Sequence, residues 1–209
     1  MSDVIPDTLH AMFQRFAPLM PLLDPRSTAE QQEEALEALI DEGVRWLEDN
    51  ANNLTGEKED GLSTTLAGKI SIPGLLRADR ERNINGHVDI VIEIESVRPQ
   101  RRWLAEAKCW RGPAYHVAGL QQLLGYTPGR GRSAYVFDYV RERDISTKWT
   151  GLQSHLDATP LAGQLGGCTV LAGDWRFESR HLHCSGKEVR VVHIGVNLFR
   201  GPGNSSLPP

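Results

Sequence analysis

Two apolar segments in the middle of the chain constrain its fold more than any other feature. Residues 88–94 alternate around three isoleucines and two valines, which is typical of a β-strand. Residues 103–110 form a second apolar segment, and Arg98-Pro99-Gln100 between the two indicates a turn. The sequence therefore predicts an antiparallel hairpin that carries charged side chains within apolar strands.

The elements around this hairpin complete an α/β pattern. Thr28 and Gln31 fit a capping box at the start of a long helix. Strands that alternate with helices favour a mixed central β-sheet flanked by helices. The other predicted helices are 7–20 (ending near Pro21), 57–69, 115–126 and 143–156, and the later strands are 133–140, 168–172, 175–184 and 188–199, the last two joined at Ser185-Gly186.

The length of 209 residues suits one domain of ordinary size. We expect acidic N-terminal helices over 1–56 that pack on a core over 57–200, followed by a disordered tail over 201–209. The sequence holds no signal peptide and no apolar run of about 20 residues, so no membrane partner is expected. Three cysteines without CxxC spacing indicate a reducing compartment, which predicts a soluble cytoplasmic protein.

Charge is distributed unevenly along the chain. Residues 1–60 hold 14 acidic and 4 basic side chains, near −10, whereas residues 77–132 hold 10 basic and 6 acidic ones, near +4. Such runs are often only solvated faces. The acidic helices could also hold a regulatory partner, and the basic segment could hold phosphates. The candidates for nucleic-acid contacts are Arg77, Arg80, Arg82, Arg111, Arg130 and Arg132.

Charged residues inside the hairpin carry the chemistry. Glu106 and Lys108 are two positions apart, so they point to the same side of their strand. Taken alone, the pair could be a surface ion pair. Asp89 lies in the preceding strand, where a hairpin could bring it to the same point as Glu106. Two convergent carboxylates suit Mg²⁺, and a lysine beside them could offset transition-state charge on a phosphate.

A helix downstream supplies two further candidates. Gln122 and Tyr126 are four residues apart and share one face of the predicted helix. That face could present an amide and a phenol to a phosphate or a bound water. Alternatively, Gln122 is a solvated helix residue and Tyr126 is a core aromatic.

Together these motifs resemble the PD-(D/E)xK nuclease superfamily, and Gly86-x-x-Asp89 and Gln122-x-x-x-Tyr126 resemble its RecB-type branch. The resemblance covers residues 57 to about 140 and implies a restriction-endonuclease-like core. It implies Mg²⁺ or Mn²⁺ as cofactor, with Asp89 and Glu106 as metal ligands and Lys108 as the catalytic lysine. An acidic ligand from the preceding helix is also implied; Glu59 is the candidate, with Glu57 and Asp60 left open.

The resemblance also implies the substrate and the alternatives to be tested. The expected activity is hydrolysis of DNA, less often RNA, and the segment from Trp103 to Phe137 resembles bacterial nucleases linked to antiviral defence. A homodimer is plausible because many related nucleases cut both strands in pairs. The competing hypothesis is a non-catalytic nucleic-acid-binding or scaffold protein on the same fold.

Other motifs are interpreted as structural. His181, His183, Cys184 and Cys168 fit no standard zinc spacing. Single histidines such as His116 and His87 are usually structural or exposed. Trp103 and Trp110 are interpreted as core and rim aromatics, and the glycine and arginine loop at 129–132 is too short to predict a phosphate cradle.

Overall fold

A mixed β-sheet of seven strands forms the centre of the molecule. The computed structural model describes residues 16–83, 87–95, 101–128 and 131–201, apart from the side chains of 81–83. The strands are β1 (Leu76–Asn83), β2 (His87–Ile94), β3 (Arg102–Cys109), β4 (Ser133–Val140), β5 (Thr169–Val170), β6 (Arg176–Leu182) and β7 (Glu188–Asn197).

Their order across the sheet is β1-β2-β3-β4-β7-β6-β5. The pairs β3–β4 and β4–β7 are parallel, and the remaining pairs are antiparallel. The predicted hairpin is therefore confirmed as β2 and β3, although its turn at 98–100 lies outside the described residues. The prediction of an α/β fold with a mixed sheet is confirmed as well.

Helices cover both faces of this sheet. In the described residues they are α1 (Met20–Leu23), α2 (Ala29–Asp49), α3 (Glu59–Ile70), α4 (Pro113–Tyr126) and α5 (Ile145–Ala158). Apolar side chains of α2 and α3 pack with Ile90 and Phe137 on one face. Those of α4 and α5 pack with Leu104 and Val136 on the other. The sheet is thus buried between two helical layers.

The start of α2 follows from its capping box. Thr28 Oγ1 accepts a hydrogen bond from the Gln31 backbone at 3.2 Å, and Gln31 Oε1 accepts one from the Thr28 backbone at 2.9 Å. The predicted helix end near Pro21 is wrong. Pro21 lies in the first turn of α1, where the absent N–H leaves no helix bond unmade. The earlier part of that predicted helix, 7–15, lies outside the described residues.

The acidic face of α2 binds the sheet through ion pairs. Glu37 lies 3.0 Å from Arg176 and 2.5 Å from Arg190, and Asp41 lies 2.5 Å from Arg176. Glu33 accepts a hydrogen bond from the Ser133 hydroxyl at 2.9 Å. These carboxylates therefore fasten α2 to β4, β6 and β7, so part of the acidic surface serves the fold itself.

One strand was not predicted from the sequence. β1 has charged residues at five of its eight positions, yet it pairs antiparallel with β2 from Leu76 opposite Ile94 to Asn83 opposite His87. Tertiary pairing overrides its weak strand propensity. Within the part of the chain that the structure describes, no helix is long and apolar enough to cross a membrane.

Candidate active site

The hairpin brings its three charged residues to one face of the sheet. Ile90 of β2 lies opposite Ala105 of β3, so Asp89 and Glu106 adjoin the end of this paired segment. Because side chains alternate along a strand, Glu106 and Lys108 point to the same face. That is the face covered by α4 and α5. The prediction that the hairpin would bring these residues together is confirmed.

The amine of Lys108 is the point on which the acidic side chains converge. Lys108 Nζ lies 2.6 Å from Glu106 Oε1 and 3.6 Å from Asp89 Oδ2. A third carboxylate, that of Glu59, comes within 3.9 Å of the same nitrogen. Asp89 Oδ2 also accepts a hydrogen bond of 2.9 Å from the Ala107 backbone, which fixes its position beside β3. Three carboxylates thus surround one ammonium group.

The third carboxylate comes from the first turn of α3. Glu59 Oε2 accepts a hydrogen bond of 2.7 Å from the Cys109 backbone, which ties the start of the helix to the end of β3. The sequence favours Glu59 as the upstream acid and leaves Glu57 and Asp60 open. In the structure it is Glu59 that reaches Lys108.

Burial gives Glu106 an unusual protonation equilibrium. Its side chain is only 2% exposed, and Glu106 Oε2 is buried with no hydrogen-bond partner among the described residues. Loss of solvent raises the pKa of Glu106 to about 7, helped by the charges of Asp89 and Glu59 and opposed by the bond from Lys108. Burial alone would lower the pKa of Lys108, but the bond to Glu106 and the surrounding carboxylates raise it instead. Lys108 therefore stays charged at neutral pH.

Helix α4 lies directly over this cluster at a glycine. A Cβ atom added to Gly119 would lie 3.4 Å from Glu106 Cγ and from Lys108 Cε, so the helix backbone rests on both side chains. Gln122 is one turn further along the same side of α4 and is exposed. Tyr126 is half-buried and packs against the apolar cluster beneath α4 and α5. Neither contacts Lys108 or the carboxylates through a hydrogen bond in the described residues.

A cleft of about 540 Å³ opens beside Glu59. Its walls include Arg111 and Tyr115, whose guanidinium carbon and ring centroid are 5.0 Å apart. Sequence reasoning missed two other cations of the cleft, Lys58 and Arg141. Arg141 is positioned by hydrogen bonds to backbone carbonyls of the loop before α3. No local motif marks Arg141, because that loop precedes it by more than 80 residues.

The other predicted arginines have different positions. Arg82 has no described side chain, and Arg130 lies outside the described residues, as does Gly86 of the motif. A carboxylate paired with an arginine offsets part of the positive field that the arginine presents to a phosphate. The three remaining candidates form such pairs, joining Arg77 to Glu93, Arg80 to Asp60 and Arg132 to Glu30.

As they stand, the described residues hold no group of three or more His, Cys, Asp or Glu side chains arranged to bind a metal ion. In the carboxylate cluster, the ammonium of Lys108 lies where a cation would be expected. The donor set nevertheless suits a hard divalent ion, since it offers carboxylate oxygens, and Glu106 Oε2 has no hydrogen-bond partner in the part of the chain that the structure describes. Comparisons with protein-family models, with curated proteins and with solved structures found no match for this chain.

Proposed function

We propose that this protein is a metal-dependent nuclease of the PD-(D/E)xK type, on a restriction-endonuclease-like core. One observation carries the proposal: carboxylates from α3, β2 and β3 converge on the amine of Lys108. Gathering three carboxylates around one cation, with Glu106 buried among them, is costly, which supports a purpose for the site beyond stability. Phosphodiester hydrolysis needs that combination of acidic oxygens and one fixed positive charge.

Each residue has a separate task in this proposal. Asp89, Glu106 and Glu59 would hold Mg²⁺ or Mn²⁺, which polarises a phosphate and lowers the pKa of a bound water. Lys108 remains charged and can stabilise negative charge that develops on the phosphate. Burial raises the pKa of Glu106 to about 7 without a metal, and a bound cation would offset the buried negative charge of its ionised form. The backbone bonds from Ala107 and Cys109 keep the other two carboxylates in place.

Cations in the cleft beside the site support a nucleic-acid substrate. Arg111 is exposed there, and Lys58 lies on the same walls as Glu59. Cations next to a hydrolytic centre suit the phosphates that flank a scissile bond. We propose DNA as the substrate, with RNA as a second polymer to be tested. A reducing, cytoplasmic location would suit the three cysteines, all of which are free thiols.

The direct test is cleavage by purified protein. Supercoiled plasmid, linear duplex, single-stranded DNA and RNA are each incubated with Mg²⁺, with Mn²⁺ or with EDTA. The proposal expects cleavage with a metal and none with EDTA. Glu106→Gln should abolish cleavage while the protein stays folded.

The matched control is Glu93→Gln. Glu93 is also a glutamate with a side chain 2% exposed and bound by cations, but it lies at the other end of the hairpin. This variant should cleave normally. Binding of nucleic acid without cleavage under every condition would instead favour the non-catalytic alternative. Equal loss of cleavage in both variants would remove Glu106 from the mechanism.

A further inference from the structure

A chain of buried hydrogen bonds crosses the sheet beneath α4 and α5. His116 Nδ1 lies 2.5 Å from Asp138 Oδ2, and His116 Nε2 lies 2.8 Å from His193 Nδ1. The hydroxyl of Ser179 lies 2.7 Å from His193 Nε2 and 2.8 Å from His181 Nε2. All five residues are at most 1% exposed. No substrate can reach Ser179, so this hydrogen-bond chain is not a second catalytic site.

Its protons can be assigned from one end to the other. Burial lowers the pKa of His193 well below its ordinary value and that of His181 to about 4, so both are neutral at pH 7. In the direction that ends at Asp138, His116 donates to the Asp138 carboxylate through Nδ1, and its Nε2 accepts from His193. His193 Nε2 then accepts from Ser179, and Ser179 accepts from His181.

His181, the residue at the other end of this hydrogen-bond chain, supports the assigned direction. His181 Nδ1 is buried and has no hydrogen-bond partner in the described residues. In the direction assigned above it carries no proton, so it is only an unused acceptor. The reverse direction would leave a buried N–H without a partner, which folded proteins strongly avoid. Every donor therefore points towards the carboxylate of Asp138.

This carboxylate lies next to the candidate active site. Asp138 of β4 is paired with Lys108 of β3 in the parallel ladder. His116 is one turn before Gly119, at which α4 rests on Glu106 and Lys108. The chain therefore fastens α4 to the sheet within one helical turn of the place where that helix covers the two active-site side chains.

We propose that His116 is a positioning residue of the nuclease site: it fixes the distance at which α4 packs over Glu106 and Lys108. It touches neither substrate nor reacting atoms, and it acts through the helix. The proposal rests on the proposed nuclease function. It has a structural component that can be tested without cleavage.

Kinetics test the positioning. His116→Leu removes both hydrogen bonds of the side chain and should lower kcat by about tenfold or more, with a smaller change in KM. His116→Asn keeps a donor for Asp138 and should recover part of the loss, and it is the working variant if His116→Leu does not fold. Ser179→Ala interrupts the hydrogen-bond chain at the end distant from α4 and should leave kcat per folded molecule unchanged. Equal losses of kcat in His116→Leu and Ser179→Ala, or wild-type kcat in folded His116→Leu, would overturn the proposal.

Two measurements are independent of activity. Nitrogen-15 NMR of the imidazoles should show Nδ1–H for His116 and His193 and Nε2–H for His181; another pattern overturns the assigned chain. Hydrogen exchange should quicken in α4 in the most conservative His116 variant that folds, but not in Ser179→Ala, and unchanged exchange in α4 counts against positioning. If wild type cleaves nothing while both measurements turn out as expected, the nuclease function fails and the fastening of α4 stands.

Discussion

The two ends of the β2–β3 hairpin each bury a glutamate, but the two carboxylates differ in their hydrogen-bond partners. At one end Glu93 accepts from Arg77 at 2.9 Å through Oε2 and from Arg102 at 2.6 Å through Oε1. At the other end Lys108 binds Oε1 of Glu106, and Oε2 has no partner within the described ranges. Both side chains are 2% exposed. Burial is therefore equal, and the degree of hydrogen bonding is what separates the two.

The difference separates a structural ion pair from a candidate reactive one. Glu93 has both carboxylate oxygens engaged by planar guanidinium groups, which suits a rigid link between strands. Glu106 shares one flexible ammonium with two other carboxylates, so the single positive charge of Lys108 is outnumbered by acidic groups. A folded chain keeps such an arrangement at a cost in stability, so we expect the two ends to respond oppositely to substitution.

The largest difference should come from removing the cation at each end. Lys108→Ala should lower kcat on the order of 10² or more, because Lys108 acts on charge that grows in the transition state. Arg102→Ala should leave kcat unchanged and lower the free energy of unfolding instead. The measurements are single-turnover cleavage and urea denaturation. Wild-type turnover in folded Lys108→Ala would make the two ends functionally alike.

A second difference concerns metal binding. Mn²⁺ or Mg²⁺ should raise the melting temperature of wild type, since binding to the folded state stabilises it by about 2.7 kcal/mol at a hundredfold excess over Kd. Asp89→Asn and Glu106→Gln should weaken this rise. Glu93→Gln should keep the full rise even though its own melting temperature is lower. Scanning calorimetry with and without metal decides the matter; a rise retained in Asp89→Asn would exclude Asp89 as a ligand.

The pH dependence of stability without metal should also differ. Below pH 4.5 Glu106 is protonated in both the folded and the unfolded chain. Between pH 4.5 and about 7 the unfolded chain releases this proton and the folded chain keeps it, so rising pH destabilises the fold. Glu106→Gln removes this effect. The melting temperature of Glu106→Gln minus that of wild type should therefore increase as pH rises to 7 and stay constant above pH 7. A difference that decreases between pH 4.5 and 7 would contradict the raised pKa.

The smallest expected effect concerns the helix above the site. Gln122 is exposed on α4, so Gln122→Ala should leave the melting temperature unchanged and reduce cleavage severalfold if its amide contacts the substrate. Unchanged cleavage would identify it as a solvated residue. Tyr126→Phe removes a hydroxyl from a half-buried ring, and wild-type activity in that variant would assign Tyr126 to packing.

Local patterns in the sequence predicted part of the site well. The β-branched alternation of 88–94 predicted β2, and the spacing of Glu106 and Lys108 predicted their shared face. Glu59 was the candidate for the upstream acid, but the sequence could not exclude Glu57 and Asp60, since the backbone bond that fixes Glu59 comes from Cys109, 50 residues away.

Features that depend on tertiary contacts escaped prediction. The five charged residues of β1 give no strand signal, and its conformation comes from pairing with β2. His116 was interpreted as a lone histidine, and its partner His193 lies 77 residues later. Only the order of strands brings them together, and a sequence pattern does not contain that order.

The two edges of the sheet have a consequence for how molecules of this protein can associate. Among the described residues one edge is β1, whose sequence has five charged residues at eight positions, and the other is β5, which is two residues long. Charged or very short edge strands resist pairing with strands of another chain, which protects against aggregation. A dimer that cuts both strands of a duplex would therefore have to assemble through its helical layers or loops, and the sheet would not continue from one subunit into the next.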